Sequence, residues 1–298
     1  MISEHPLVLK LIDLALEEDL GGGDLTSQLT VPENHSSQGR IIAREELVVC
    51  GLMLVAPVLS RLDPVVQVQT KAAEGQEVQP GTVLCEINGL SRALLGGERT
   101  VLNFLQRLSG VATFTRRFLR HNPGLEILDT RKTTPGWRLL EKMAVKTGGG
   151  HNHRQNLSDM ILVKNNHIDA ALQQGLTLVE VFRKVKQEKP QAVPFEIEVR
   201  NMTEIEAALA VGPDMIMLDN MNDQQVAEAV PVIRRGCPAC RIEVSGGVEA
   251  DRLARLAELG VDCISVGALT RKAVCVDISM RIVSVPASSV VADRARAS

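Results

Sequence analysis

The sequence predicts an α/β protein of two domains, an N-terminal α+β domain followed by a domain built on a parallel sheet. The first observation is size, since 298 residues, 45% of them hydrophobic and 23% charged, suit one large globular domain or two modest ones. The second is that helical and strand-like segments lie between Gly- and Pro-rich turns up to about residue 112. The third is that short apolar runs alternate with helix-length segments from Leu125 onward, as in parallel sheets with crossover helices.

The first domain is predicted to span residues 1–112, with the C-terminal segment 276–298 joining it. Leu7, Leu11 and Leu14 recur at helical spacing, and the glycines at 21–23 end this helix. Strand-like runs follow at 39–51, 65–70 and 82–87, and two helices at 91–109 and 111–121. Gly110 is interpreted as the break between these two helices. The tail beyond Pro286 is expected to fray.

The second domain is predicted to span residues 113–275. Its candidate strands are residues 125–129, 160–164, 195–199, 215–219, 242–245 and 263–266. Helix-like segments at 203–211, 223–235 and 249–259 separate the later strands. Such strands either close into an α/β barrel or form an open doubly wound sheet, and their spacing does not decide between the two.

Composition excludes several classes of function. The net charge is −3 and 2% of residues are aromatic, so the chain lacks the positive field and the stacking surface of a nucleic-acid-binding protein. No apolar run is long enough to span a bilayer, and residues 1–10 lack the pattern of a secretory signal. Six cysteines are too few for a disulfide scaffold, which favours reduced thiols in the cytoplasm. Cys237 and Cys240 lack the second pair that a zinc site needs, so a loop between a helix and a strand is the preferred interpretation.

Polar side chains follow the candidate strands at the points where the strands end. Asp129, Lys164, Glu198, Asp219 and Ser245 occupy such positions. Because the carboxyl ends of parallel strands lie on one side of a sheet, where ligands bind, we expect these groups to share one site.

The groups at these strand ends sort by chemistry. The cations suited to carboxylates or phosphates are Arg131, Lys132, His153, Arg154 and Lys164. Glu198 and Asp219 suit ribose hydroxyls or a hydrated Mg²⁺. The glycines at 246, 247 and 267 leave backbone N–H groups open to a phosphate. The pattern therefore indicates an anionic phosphosugar and a second anion as ligands.

Other interpretations of these residues stay open. Glu198 or Asp219 could cap a helix, and Arg131 with Lys132 could be a solvated surface. His151, His153 and His167 could bind a metal, although the neighbouring cation Arg154 disfavours this. Lys164 could form a Schiff base, as a strand-end lysine does in barrel aldolases, and this is the strongest rival.

Several longer motifs, taken together, resemble one family, quinolinate phosphoribosyltransferase, also called nicotinate-nucleotide pyrophosphorylase (carboxylating). They follow the family order over nearly the whole chain: Glu18-Asp-Leu-Gly21, Gly97-Glu-Arg-Thr-Val-Leu-Asn103, Leu128-Asp-Thr-Arg-Lys-Thr-Thr-Pro-Gly136, Gly148-Gly-Gly-His-Asn-His-Arg154, Val163-Lys-Asn-Asn-His167, Met217-Leu-Asp-Asn220, Glu243-Val-Ser-Gly-Gly-Val248 and Ile264-Ser-Val-Gly-Ala-Leu-Thr270.

The resemblance implies a glycosyltransferase reaction. Quinolinate and phosphoribosyl pyrophosphate, with Mg²⁺, would give nicotinate mononucleotide, pyrophosphate and CO₂ on the de novo route to NAD. The resemblance also implies an α/β N-terminal domain beside an open α/β barrel. It implies a homodimer whose sites are completed across the interface, with a further assembly into hexamers left open.

By motif match, the resemblance also implies roles for particular residues. Arg99 would reach the site of the partner subunit and bind a substrate carboxylate. Glu198 and Asp219 would hold ribose hydroxyls and the metal, and with Lys132 and Lys164 they are the candidate catalytic residues. The dicarboxylate and the phosphates would be held by Thr130, Arg131, Lys132, His153, Arg154 and Lys164, and the 5′-phosphate by Ser245, Gly246, Gly247 and Gly267.

The chain departs from the family pattern at two places. Arg200 stands where the family often has Glu, and Arg271-Lys272 stand near a position where His is common. The alternatives are a close relative that acts on another substrate, and a barrel that binds a phosphorylated ligand without turnover. The cations Arg99, Arg131, His153, Arg154 and Lys164, present together, favour quinolinate.

Overall fold

A computed structural model describes residues 2–284 of the chain. Within them, two compact units are formed, the first from residues 2–116, 133–149 and 270–284 and the second from residues 117–132 and 150–269. Segment 133–149 thus groups with the first unit, whereas the predicted boundary at residue 112 assigns it to the second domain. The domain boundary at residue 112 stays a prediction. The tail beyond Pro286 lies outside the described residues.

The first unit combines helices with antiparallel strands. Its helices are α1 (Pro6–Leu20), α2 (Leu25–Thr30), α3 (Val55–Leu59), α4 (Ser91–Leu119, which continues into the second unit) and α5 (Arg138–Thr147). Its strands are β1 (Ser36–Ala43), β2 (Leu47–Val48), β3 (Gln67–Thr70), β4 (Glu77–Val78), β5 (Val83–Leu90) and β12 (Ile278–Ser284). The sheet has the order β12-β1-β5-β3, and β2 pairs separately with β4.

The first helix begins and ends where the sequence predicts. The side chain of His5 accepts a hydrogen bond from the backbone N–H of Leu7, and Pro6 occupies the first turn, where its missing N–H costs nothing. Gly21 has φ +50° and ends the helix, a conformation that glycine adopts without strain.

The predicted helix break at Gly110 is wrong. The segment forms one helix, α4, of 29 residues. Gly110 instead permits close packing within the first unit, because a Cβ atom at this position would overlap the backbone oxygen of Val274. The sequence correctly marks Gly110 as a special position. The reason, however, is that the backbone of Val274, far along the chain, lies against it, which sequence spacing cannot reveal.

The predicted strands of the first unit need three corrections. The run at 39–51 contains two strands, β1 and β2, rather than one. The runs at 65–70 and 82–87 correspond to β3 and β5 with shifted ends. Strands β4 and β12 were not predicted, because they are defined by pairing with β2 and β1 rather than by a local pattern.

The second unit contains a parallel sheet of six strands. They are β6 (Glu126–Leu128), β7 (Ile161–Val163), β8 (Phe195–Val199), β9 (Met215–Asp219), β10 (Arg241–Ser245) and β11 (Cys263–Ser265). The strand order is β6-β11-β10-β9-β8-β7, so the last strand pairs with the first, as in an α/β barrel. Within residues 2–284 no pairing joins β6 to β7, and the barrel is therefore open. This order decides against the doubly wound sheet.

Helices follow the strands of the second unit. They are α6 (Asn165–Leu172), α7 (Leu178–Glu188), α8 (Met202–Leu209), α9 (Asp223–Gly236), α10 (Leu253–Glu258) and the single turn α11 (Ala268–Arg271). Helices α8 to α10 confirm the predicted segments, whereas α5, α6 and α7 were not predicted. Cys237 ends α9 and Cys240 precedes β10, which confirms the predicted loop. None of the helices within residues 2–284 has the length and hydrophobicity needed to cross a membrane.

Replacement of Gly110 by Ala should destabilise the first unit, because the new methyl group would overlap backbone rather than a flexible side chain. We expect a loss of about 3 kcal/mol in the free energy of unfolding, the upper range for an overpacked site. Gly96→Ala on the same helix is the matched control, since the nearest atom to its Cβ is the end of the Leu20 side chain at 3.3 Å. Urea denaturation would measure both variants, and equal stability of the two would contradict the packing role of Gly110.

Candidate active site

The carboxyl ends of the parallel strands surround one cavity of about 460 Å³ in the second unit. Its walls are Thr130, Arg131, Lys132, His153, Arg154, Leu162, Lys164, Glu198, Met217, Asp219, Asn220, Ser245 and Ser265. The strands end together because their registers align, with Ser245 paired to both Asp219 and Ser265. The structure thus brings together most of the residues that the sequence analysis selected.

Lys164 and Glu198 form an ion pair in this cavity. Lys164 Nζ donates to Glu198 Oε2 at 2.6 Å, and the backbone N–H of Asn165 donates to the other carboxylate oxygen at 3.3 Å. Glu198 is buried at the end of β8, so the ion pair holds a charge that would otherwise be costly there. An ammonium bound to a carboxylate has no free lone pair for attack on a carbonyl, which disfavours the Schiff-base interpretation of Lys164.

Asp219 ends β9 beside this pair. Burial raises the pKa of the Asp219 carboxyl, and the negative charge of Glu198 raises it further. A hydrogen bond from Asn220 and the charges of Lys164 and Lys132 act in the opposite direction. The two carboxylates are therefore close enough to repel each other, an arrangement that suits hydroxyl donors or a cation.

Glycines at two turns contact residues of the cavity wall, although the predicted glycines Gly246, Gly247 and Gly267 are not themselves part of that wall. Gly246 and Gly247, which follow β10, have φ of +101° and +60°, and side chains rarely tolerate this region. Gly267 follows β11, and a Cβ atom there would lie 2.9 Å from Cδ of Lys132. Gly267 therefore allows the Lys132 side chain to approach the end of β11. These turns expose backbone next to the cavity, as a phosphate site requires.

Two guanidinium groups occupy the cavity wall. Arg154 Nη1 donates to the carbonyl of Met160 at 3.1 Å. Burial lowers the pKa of Arg154, and the charge of Arg131 lowers it further. Nε of Arg131 is buried and has no hydrogen-bond partner within residues 2–284. Adjacent cations of this kind favour an anionic ligand.

His153 contacts two glutamates that the sequence analysis did not select. Its Nε2 lies 3.1 Å from Glu196 and 3.3 Å from Glu243, both fully buried. Burial alone would lower the pKa of His153, but these two carboxylates raise it to about 9. In the neutral ring, Nδ1 accepts a hydrogen bond from the backbone N–H of Arg154 at 2.8 Å and Nε2 carries the hydrogen that faces the glutamates. Protonation places a second hydrogen on Nδ1, which must then give up its contact with Arg154. The sequence signal that could have identified Glu196 and Glu243 is a charged residue within a strand of apolar residues.

Metal binding by histidines has little support in the second unit. Within residues 2–284, the one cluster close enough to share an ion is His153, Glu196 and Glu243. A metal-binding imidazole donates its other N–H, whereas Nδ1 of His153 accepts a hydrogen bond. Nδ1 of His167 accepts from the backbone N–H of Lys164, and His151 lies 3.6 Å from Glu126. The predicted alternative of a site formed by His151, His153 and His167 is therefore not supported.

Three other arginines singled out in the sequence, one as a site residue and two as departures from the family pattern, are absent from the wall of this cavity. Arg99 is exposed on α4 in the first unit and is absent from the wall of this cavity. Arg200 pairs with Glu204 at 2.6 Å and with Asp169 at 3.2 Å, so its charge is neutralised by acids of the second unit. Arg271 is exposed at the end of α11.

The two glutamates should set the proton affinity of His153. NMR titration should give His153 a pKa near 9, and Glu196→Gln should lower this pKa by removal of a nearby negative charge. Because the folded-state pKa exceeds the ordinary value of 6.5, the stabilisation is complete below pH 6.5 and is lost as the pH rises through about 9. His121→Gln, at an exposed position, is the control. A His153 signal that titrates near 6.5 in both proteins would contradict this account.

Comparisons with known proteins identify the family to which the chain is similar. The model of the quinolinate phosphoribosyl transferase N-terminal domain matches residues 24–109, and that of the C-terminal domain matches residues 111–281. A probable nicotinate-nucleotide pyrophosphorylase [carboxylating] from Synechocystis is 40% identical over 270 residues, 90% of each chain. One of the same name from Bacillus subtilis is 39% identical over 281 residues, 93% of this chain and 94% of the relative.

A solved structure extends the likeness to three dimensions. The nicotinate-nucleotide pyrophosphorylase from Francisella tularensis has a TM-score of 0.83 and 35% identity, and the match covers 95% of this chain and 99% of that one. A family model that matches more than half of the chain and relatives of this identity establish the relationship. The chain belongs to the quinolinate phosphoribosyltransferase family.

Proposed function

We propose that the chain transfers the phosphoribosyl group of phosphoribosyl pyrophosphate to quinolinate, with loss of CO₂, to form nicotinate mononucleotide for NAD biosynthesis. The observation that carries the proposal is the cavity of the second unit, where cations and two carboxylates lie together in a member of this family. Close relatives bear the name of this activity. The Lys164–Glu198 ion pair argues against the rival lyase.

We assign the dicarboxylate to the cationic wall. Arg131 and Arg154 offer planar donors that match carboxylate geometry, and the buried Nε of Arg131 would gain a partner from such a ligand. The role of His153 at this wall comes mainly from its buried contacts with Glu196 and Glu243, because its Nε2 faces these two carboxylates. Lys132 and Thr130 complete this side of the cavity.

We assign the phosphoribosyl group to the opposite set of strand ends. Glu198 and Asp219 accept hydrogen bonds from ribose hydroxyls, and their charge stabilises an electron-poor sugar. The backbone of Ser245, Gly246 and Gly247, with Gly267, binds the 5′-phosphate. Lys164 would exchange its contact with Glu198 for the pyrophosphate as substrate enters.

Mg²⁺ is proposed to bind near Glu198 and Asp219, through water and substrate. Carboxylate oxygens suit this hard cation. Burial and then the negative charge of Glu198 raise the pKa of Asp219, and a cation would relieve the repulsion between the two carboxylates. The ion would neutralise negative charge on the leaving pyrophosphate. Lys132 and Lys164 would contribute positive charge to the same group.

The chemistry needs positioning and charge rather than a covalent intermediate. The bond from C1 of ribose to pyrophosphate breaks, and the electron pair leaves with pyrophosphate. The pyridine nitrogen then donates its lone pair to C1 and becomes positive. The bond between ring C2 and its carboxylate breaks, its electron pair stays on the ring, CO₂ leaves, and C2 takes a proton from water. Fixed cations and carboxylates supply the stabilisation for these charge changes.

The chain is further proposed to act as a cytoplasmic homodimer. Arg99 is exposed and absent from the wall of the cavity, which supports a role in the site of the partner subunit. The free cysteines, several with a raised thiol pKa through burial, suit a reducing compartment.

The first test is a substrate comparison. Purified chain with phosphoribosyl pyrophosphate and Mg²⁺ should form nicotinate mononucleotide and CO₂ from quinolinate and no product from nicotinic acid. The physical reason is that the second carboxylate supplies both a contact for the cations and the leaving CO₂. Product from nicotinic acid would refute the dicarboxylate role, and no turnover of either would refute the proposed function.

The second test is complementation between subunits. Arg99→Ala and Lys164→Ala should each be inactive, and a co-expressed heterodimer, purified through two tags, should recover about half of the wild-type activity because one of its two sites is intact. The matched control pairs Lys164→Ala with Arg131→Ala, two residues of the same cavity, and should recover none. No recovery in the first pairing would contradict the role of Arg99 across the interface.

A further inference from the structure

Asn220 contacts two parts of the site at once. It follows Asp219 and has φ +54°, which makes it the one non-glycine residue with a positive φ in the described part of the chain. Its Nδ2 donates to Oδ2 of Asp219 at 2.9 Å. Its backbone N–H donates to the carbonyl of Ser245 at 2.9 Å. Asn220 therefore links the end of β9 to the turn after β10.

The carboxamide of Asn220 also packs against Gly246. A Cβ atom at Gly246 would overlap Oδ1 of Asn220, so the carboxamide fills the space that a side chain at 246 would need. Asn220 also lies between two cavities, the main one and a neighbouring one at the start of α9. The nitrogen of the carboxamide thus donates to Asp219, and its oxygen packs against the turn at Gly246.

A turn residue alone does not explain this arrangement. Asparagine tolerates a positive φ better than most residues, but glycine meets that need without a side chain. The bond from the backbone N–H to Ser245 would also persist in glycine. The turn does not explain the position of the Asn220 carboxamide, which lies between the Asp219 carboxylate and Gly246.

We propose that Asn220 is a positioning residue that sets the Asp219 carboxylate relative to the turn formed by Ser245, Gly246 and Gly247. The inference rests on the proposed function, in which Asp219 holds the ribose and the turn holds the 5′-phosphate. A pentose phosphate spans a fixed distance between its hydroxyls and its phosphate. The Asp219 carboxylate and the glycine turn therefore bind the pentose phosphate well only when the distance between them is fixed. Small misplacements of groups in active sites have large effects on the reaction rate.

Substitutions at Asn220 separate positioning from the turn. Asn220→Gly keeps the positive φ and removes the carboxamide. Asn220→Asp keeps the shape and tolerates the same φ, but it places an oxygen where Nδ2 now donates to Asp219. Asn222→Gly is the matched control, because Asn222 caps α9 through Gln225 and makes no hydrogen bond to Asp219 in the described part of the chain.

The first readout is the affinity for ribose 5-phosphate, measured by calorimetry without metal or turnover. We expect Asn220→Gly to weaken binding about tenfold, the usual effect of losing a hydrogen bond to a charged group. Asn220→Asp should bind more weakly than Asn220→Gly because two carboxylates would then repel each other. Asn222→Gly should bind like wild type, and all three should melt near the wild-type temperature.

The second readout separates the two substrates. In Asn220→Gly the KM for phosphoribosyl pyrophosphate should rise or kcat should fall, while the KM for quinolinate changes less than twofold. A residue that serves the turn alone would leave Asn220→Asp close to wild type and Asn220→Gly normal in both assays, which would overturn the proposal. Absence of ribose 5-phosphate binding by the wild-type chain would also overturn it. Binding by the wild type without transfer would refute the proposed function instead, and the comparison of affinities would still decide the role of Asn220.

Discussion

The candidate site depends on the in-register pairing of parallel strands. Backbone hydrogen bonds align Ser245 with Asp219 and with Ser265, so three strands end at one level. Side chains two residues apart share a face, which places Glu196 one layer beneath Glu198 on the same strand. A shift of one residue in any strand would turn its functional side chain to the opposite face.

Charge balance is the second constraint on this site. Glu198 is buried but paired with Lys164, and Glu196 and Glu243 are buried but face His153. Burial and then the charge of Glu243 raise the pKa of Glu196 to about 7, which limits the negative charge beneath the cavity. Arg131 and Arg154 remain beside one another at the wall. Internal pairing thus neutralises the lower layer, and cationic groups stay available at the surface where an anion would bind.

Much of the site followed from residue types at strand ends, because short apolar runs locate the strands and the carboxyl edge of a parallel sheet brings their ends together. Arg131, Lys164, Glu198 and Asp219 were selected in this way. Glu196 and Glu243 were missed, since a charge within a buried strand has no meaning until its partner is known. Gly110 was misassigned for a related reason, because the segment that approaches it lies far along the chain.

The sequence by itself determined the fold class, the family and the chemistry of the strand-end residues, since local patterns and motifs carry this information without tertiary contacts. The tertiary structure alone decided that the sheet closes from β11 to β6, because strand order depends on pairings between distant segments. It also decided which charges are neutralised, since an ion pair such as Lys164–Glu198 exists only when two strands bring its partners within hydrogen-bond distance.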